Sequence, residues 1–269
     1  MAGPSWASAV ERANAEGKQP VLFVHGPWLS ARAWAPWAAL FEKAGYASLQ
    51  PAWPDGDDLA ARATLGAARR RFTRIVEALN NRPAIVGHSL GALIAQMLAA
   101  EGLSAATVAV APAPFRGAAP LSLPALRAAW PALAAPADAR GWVRLSAAQF
   151  RYAFANAVSP AEGEALFETY AAPAPRRPVL QAATAGLDPW TEARVDVLAP
   201  CRGPLLIVAG GQDHSAPPAV TQAVYDRQKR NRAAASEFVL MSDRGHSLIV
   251  DAGWREVADA ALGFIQRFA

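Results

Sequence analysis

Cysteine is nearly missing from this sequence. The one thiol, Cys201, excludes an intramolecular disulfide and any cysteine-built metal cage, and its place before a predicted strand, with no motif around it, reads as a packing position. Charged residues are sparse at 18%, and although hydrophobic residues reach 53%, no apolar run attains membrane-spanning length. The stretch Met1-Ala-Gly-Pro-Ser-Trp-Ala-Ser-Ala-Val-Glu-Arg has neither the basic region nor the apolar block of a secretory signal, so a cytoplasmic location is expected. The net charge of +4 comes mostly from scattered arginine. Arg69, Arg70, Arg71 and Arg74 accompany the apolar face Phe72, Ile75, Val76 and Leu79 on a helical stretch and read as its solvated side. A nucleic-acid surface would need a wider basic field with aromatic platforms. Neither nucleic acid nor a membrane is therefore expected as a partner, and the oligomeric state is not legible. Histidine is also scarce, with four in the chain.

What is present is an alternation of short buried strands and amphipathic helices. Strand patterns fall at Pro20–Val24, 46–50, 84–86, 107–110, 204–209 and 238–241, and helical ones at 5–17, 33–44, 62–80, 217–230 and 252–268, with a loop at 51–58. Such alternation implies a mostly parallel sheet covered by helices on both faces, an α/β class. It breaks between residues 112 and 190, a proline- and aromatic-rich stretch in which Ser159-Pro160-Ala161-Glu162 reads as a capping box. We read residues 1–111 and 191–269 as one core and 112–190 as a helical cap inserted within it.

The chemistry centres on Ile85-Val86-Gly87-His88-Ser89-Leu90-Gly91. This is G-x-S-x-G after β-branched residues and before a run of good helix formers, the strand–turn–helix setting of a nucleophile elbow. Side chains at 87 or 91 would collide with the adjoining strand or helix, and the turn places Ser89 in a strained conformation at a helix N-terminus, where negative charge is favoured. A serine hydroxyl needs a base, and the base needs an acid to orient it. His25 reads as a loop anchor, and His88 points away from its neighbour Ser89 in such an elbow. His246, on a glycine-containing loop after the last strand, is the candidate base. Asp213, after the preceding strand, is the candidate acid, while Asp243 and Asp251 read as loop and helix-capping residues. The strand after the elbow ends Ala-Val-Ala-Pro-Ala-Pro and offers no carboxylate.

Taken with His25-Gly26, Gly-Gly-Gln-Asp213 and Asp-Arg-Gly-His246, the elbow makes the chain resemble a serine hydrolase of the α/β-hydrolase fold with a helical cap, close to the small bacterial carboxylesterase and non-haem haloperoxidase-like branch. The resemblance implies a triad of Ser89, Asp213 and His246, with the Leu90 backbone N–H as one oxyanion donor. The second donor is expected just after His-Gly, but Pro27 stands there and has no N–H. Three readings stay open: Trp28 supplies the N–H through a shifted loop, the hole runs with fewer donors, or the natural reaction develops less oxyanion charge. The implied activity is cleavage of carboxylic esters of small to medium apolar or aromatic substrates through an acyl-enzyme on Ser89, with no metal or organic cofactor. Trp28, Trp130, Phe150 and Phe154 are expected to line the pocket. Perhydrolysis, C–C or C–N bond hydrolysis, a lyase on the same residues and a non-hydrolytic small-molecule receptor stay open as alternatives.

Overall fold

The computed structural model describes residues 6–53, 63–118, 120, 122–134 and 141–269. Parts of the expected 51–58 loop, the first residue of the expected 62–80 helix and residues 1–5 lie outside these. Helix α1 (Trp6–Glu16) leads into β1 (Pro20–Val24), a 3-10 turn (Ala31–Trp34), α2 (Ala35–Lys43) and β2 (Ala47–Leu49). Then follow α3 (Leu65–Glu77), β3 (Ala84–His88), α4 (Leu90–Ala100) and β4 (Ala106–Val110). After an intervening segment come β7 (Leu205–Gly210), α9 (Pro218–Gln228), β8 (Ser236–Met241) and α10 (Trp254–Ile265). The six strands form one sheet in the order β2-β1-β3-β4-β7-β8, parallel at every pairing.

Both faces of that sheet are buried, and the period of two along each strand sorts its side chains between two apolar clusters. Val21, Phe23, Val86, Val108 and Val208 face one cluster with Trp34 and Trp37, Phe41 of α2 and Val257, Ala261 and Phe264 of α10. Leu22, Val24, Ile85 and Ile207 face the other with Phe72 and Ile75 of α3, most of α4 and Val224 of α9. On the first face Phe23 meets Trp37 and Phe41 edge to face, as Trp34 does Trp37, while Phe23 and Trp34 lie tilted at 32°, with all centroids 5.1–6.5 Å apart.

The segment between β4 and β7 contains α5 (Leu123–Ala134), β5 (Trp142–Val143), α6 (Ala147–Ala153), α7 (Pro160–Tyr170), β6 (Ala174–Pro175) and α8 (Arg176–Ala183), with β5 and β6 forming a small antiparallel pair. The expected capping box at Ser159 is only half made. The Ser159 hydroxyl accepts from Glu162 N at 3.2 Å, but the Glu162 carboxylate turns away to accept from Ala252 N at 2.7 Å. The complete box sits at Ser146 and Gln149, starting α6. Cys201, expected to pack, is exposed.

Candidate active site

Ser89 joins β3 to α4 with φ 56° and ψ −120°, a left-handed conformation that costs a non-glycine residue free energy and has to be held. The chain holds it with hydrogen bonds: Ser89 N donates to Val110 O at 2.9 Å, and Ser89 O accepts from Ala92, Leu93 and Ala113 N at 3.0–3.2 Å. A Cβ at Gly91 would come within 2.1 Å of the Val24 carbonyl, so only glycine lets α4 start this close to β1. A Cβ at Gly26 would lie 2.8 Å from Ser89 Cβ, a measure of how closely the loop after β1 passes the serine.

The loops after β7 and β8 bring Asp213 and His246 together. His246 Nδ1 is 2.6 Å from Asp213 Oδ2, both residues being almost wholly buried. The other carboxylate oxygen, Oδ1, accepts from Ser215 N at 2.7 Å and Ala216 N at 2.8 Å, which fixes the carboxylate plane. The Asp213 contact assigns the ring proton to Nδ1, leaving Nε2 with a free lone pair. Phe154 meets the imidazole edge to face, centroids 4.9 Å apart, and its carbonyl accepts from Ser247 N at 3.0 Å. Among the described residues no hydrogen bond joins the Ser89 hydroxyl to His246, a contact that commonly tightens only in the substrate complex.

The other histidines are placed differently. His88 is fully buried, with Nε2 donating to the His246 carbonyl at 3.0 Å and the two rings 4.5 Å apart. Burial, and then the neighbouring His246, hold it well below the usual imidazole range, so it is neutral. His25 is pushed down to about 4 by burial; its Nδ1 donates to Gly26 O at 2.8 Å and its Nε2 accepts from Trp53 N at 3.3 Å. It ties the loop at Gly26 to the chain after β2. His214 bonds the Tyr152 carbonyl through Nδ1 at 3.0 Å, away from the Asp213–His246 pair.

Leu90 N and Trp28 N, in residues that line the same cavity as Ser89, have no acceptor among the described residues. Leu90 N is the first amide of α4, and such amides have no intrahelical partner. Trp28 N follows Pro27 at a residue with φ 62°, a second left-handed non-glycine position. The Trp28 indole donates to Val143 O at 3.2 Å and its carbonyl accepts from Ala172 N at 3.0 Å, so the inserted segment anchors this residue on both sides. Pro27, Trp28, Ser89, Leu90 and His246 all face one cavity of about 220 Å³. Its remaining wall is largely alanine and proline, with Leu126 and Ala129 of α5 opposite Val179 and Ala182 of α8.

Residues 21–260 match the alpha/beta hydrolase family. The chain belongs to this family. No curated protein matches the sequence. Among solved structures, a methylesterase from Arabidopsis superposes with a TM-score of 0.65 at 16% identity, covering 93% of this chain and 99% of its own. A monoacylglycerol lipase from Paleococcus ferrophilus gives 0.65 at 17% identity, over 93% and 95% of the two chains. A carboxylesterase from Nitrososphaera gargenis gives 0.63 at 16%, over 94% and 92%. At these identities the likeness is one of fold.

In this α/β hydrolase the aromatic wall expected of the pocket is only partly there. Trp28 and Phe154 line the cavity. Trp130 does not: it is exposed on the outer side of α5. Phe150 does not either, because it is buried behind Phe154, the two rings stacked at 4.9 Å. Helical spacing tells which residues share a face but not where that face points. The α5 and α8 wall was missed because its signal is small residues at helical spacing, which disappears in a chain rich in alanine throughout.

Proposed function

We propose that this α/β hydrolase cleaves carboxylic esters by acyl transfer through Ser89. His246 Nε2 takes the hydroxyl proton as Ser89 Oγ attacks the carbonyl, and Asp213 holds the Nδ1 proton and stabilises the imidazolium. The protonated His246 then gives its proton to the leaving alcohol. Water, deprotonated by the same nitrogen, attacks the acyl-enzyme and releases the acid. The oxyanion that forms twice in the cycle is received by Leu90 N and Trp28 N, the latter replacing the donor that Pro27 lacks. Residues 112–190 act as the cap that closes over the substrate.

One observation carries the reading: the buried Asp213–His246 contact of 2.6 Å opens onto the same cavity as a serine held at φ 56° on a helix N-terminus. Apart from His246, none of the cavity's lining residues among those described is ionisable, so the acyl and alcohol groups are uncharged and apolar. Stopped-flow release of p-nitrophenol from the acetate and butyrate esters tests the mechanism. A burst equal to the enzyme concentration, followed by turnover and lost in Ser89→Ala, is expected. Absence of both a burst and a fluorophosphonate adduct on Ser89 would overturn it.

A further inference from the structure

The turn that ends α6 lies across the two loops that carry Asp213 and His246. Its carbonyls are taken one after another: Tyr152 O accepts from His214 Nδ1 at 3.0 Å, Ala153 O from Ser215 Oγ at 2.7 Å, and Phe154 O from Ser247 N at 3.0 Å. A helix end leaves such carbonyls without intrahelical partners, and here the two loops supply the donors. Ser215 is also the residue whose N–H holds Asp213 Oδ1, so the grip of α6 reaches the carboxylate through a single residue.

Asn156, just beyond α6, meets both loops at once. Its Nδ2 donates at 2.7 Å to the carbonyl of Gln212, the residue immediately before Asp213. Its Oδ1 faces Gly245, the residue immediately before His246, where a Cβ would come within 2.9 Å of that oxygen. Gln212 N donates to Arg244 O at 2.9 Å, so the loops run side by side at the point where Asn156 meets them. Asn156 Oδ1 is buried and has no hydrogen-bond partner among the described residues. A buried acceptor left unpaired costs free energy, so stability alone does not account for this side chain. Asn156 is not among the residues that line the cavity, which leaves it no direct hold on a substrate.

We infer that Asn156 is a positioning residue for the catalytic pair. It fixes the Gln212 and Gly245 backbones relative to each other and so sets the geometry in which Asp213 meets His246. Through it the inserted segment governs the acid and the base as well as the cavity wall. Only the kinetic arm of the test rests on the ester-hydrolase reading, since the state of the imidazole is read without turnover.

Asn156→Ala, assayed with p-nitrophenyl acetate, should lower kcat about tenfold and leave KM within about twofold, as expected when reacting groups drift by a fraction of an ångström. The thermal midpoint should change little, because the lost hydrogen bond is offset by removal of the unpaired acceptor and water can reach the exposed Gln212. In protein carrying isotope-labelled histidine, the ring nitrogens of His246 should shift away from the pure Nδ1–H form. Gly245→Ala presses on the same contact from the other side and should reproduce both changes, and the double variant should lose no more than the worse single one. An unaltered kcat in Asn156→Ala, a kcat loss with unshifted ring nitrogens, or strictly additive losses would overturn the inference. A parent protein that turns over no ester would defeat the ester-hydrolase reading alone, and the ring nitrogens would still decide the role of Asn156.

Discussion

At the scale of single residues, the site depends on where one proton sits. Asp213 uses one oxygen for His246 and the other for two backbone amides, so the imidazole is held with its proton on Nδ1. Asp213→Asn keeps the shape but offers an amide that can bond the wrong tautomer; kcat for a p-nitrophenyl ester should fall about 10⁴-fold with KM little changed. A loss under tenfold would show that the loop alone orients the ring. The meeting of Asp213 with His246 was legible, because both stand a few residues after predicted strands, at the end of the sheet where Ser89 also stands. The neutrality of His88 was not. It comes from complete burial and then from the charge of the His246 ring, 158 positions away, which local pattern cannot reveal.

At the scale of elements, the loop from β8 to α10 is closed by an ion pair. Arg244 Nη1 lies 3.1 Å from Asp251 Oδ1, Ser247 Oγ donates to Asp251 Oδ2 at 3.2 Å, and Gly253 N donates to Oδ1 at 3.1 Å. His246 sits inside this clamp, and the Trp37 indole adds a further tie by donating to Ile249 O at 2.9 Å. Burial pushes the Asp251 carboxyl up, against the pull of Arg244, so the pair is costly to bury and costly to break. Asp251→Ala should cost about 3 kcal/mol in urea unfolding and lower kcat more than it raises KM. Asp251→Asn, which keeps acceptors for Ser247 and Gly253, should recover part of both. If the alanine variant unfolds like the parent protein, the clamp is dispensable. The sequence marked Asp251 only as a helix-capping residue, and it marked the wrong capping box as complete. In both cases the deciding partner, Arg244 for Asp251 and Ala252 for Glu162, is brought in by tertiary packing.

At the scale of the whole molecule, stability should fall on mild acidification. The His25 pKa drops from 6.5 to about 4 on folding, and His88 is lowered further in the same sense, first by burial and then by His246. Between those values the unfolded chain binds protons that the folded chain refuses, so stability is full above 6.5 and declines toward 4. His25 alone accounts for roughly 3 kcal/mol of that decline. Asp251, raised on folding, offsets part of it near the lower end. Thermal midpoints measured across the window should fall as the pH is lowered from 6.5 toward 4; a flat series would show that protons reach these imidazoles in the folded state. The parallel sheet with helices on both faces was legible because strand burial and helix periodicity agree along the core. The segment between β4 and β7 gave no such agreement, and its helices take their orientation from contacts with loops distant in sequence.

The strand order carries a kinetic consequence. Ser89 follows β3 near the middle of the sheet, whereas Asp213 and His246 follow β7 and β8, separated from it by the whole inserted segment. Contacts so distant along the chain form late, after the loop-closure entropy of the intervening segments has been met. On the proposed mechanism, a chain that has built only β1 to β4 displays Ser89 but lacks the His246 that would activate it. It stays chemically silent until the edge strand is seated.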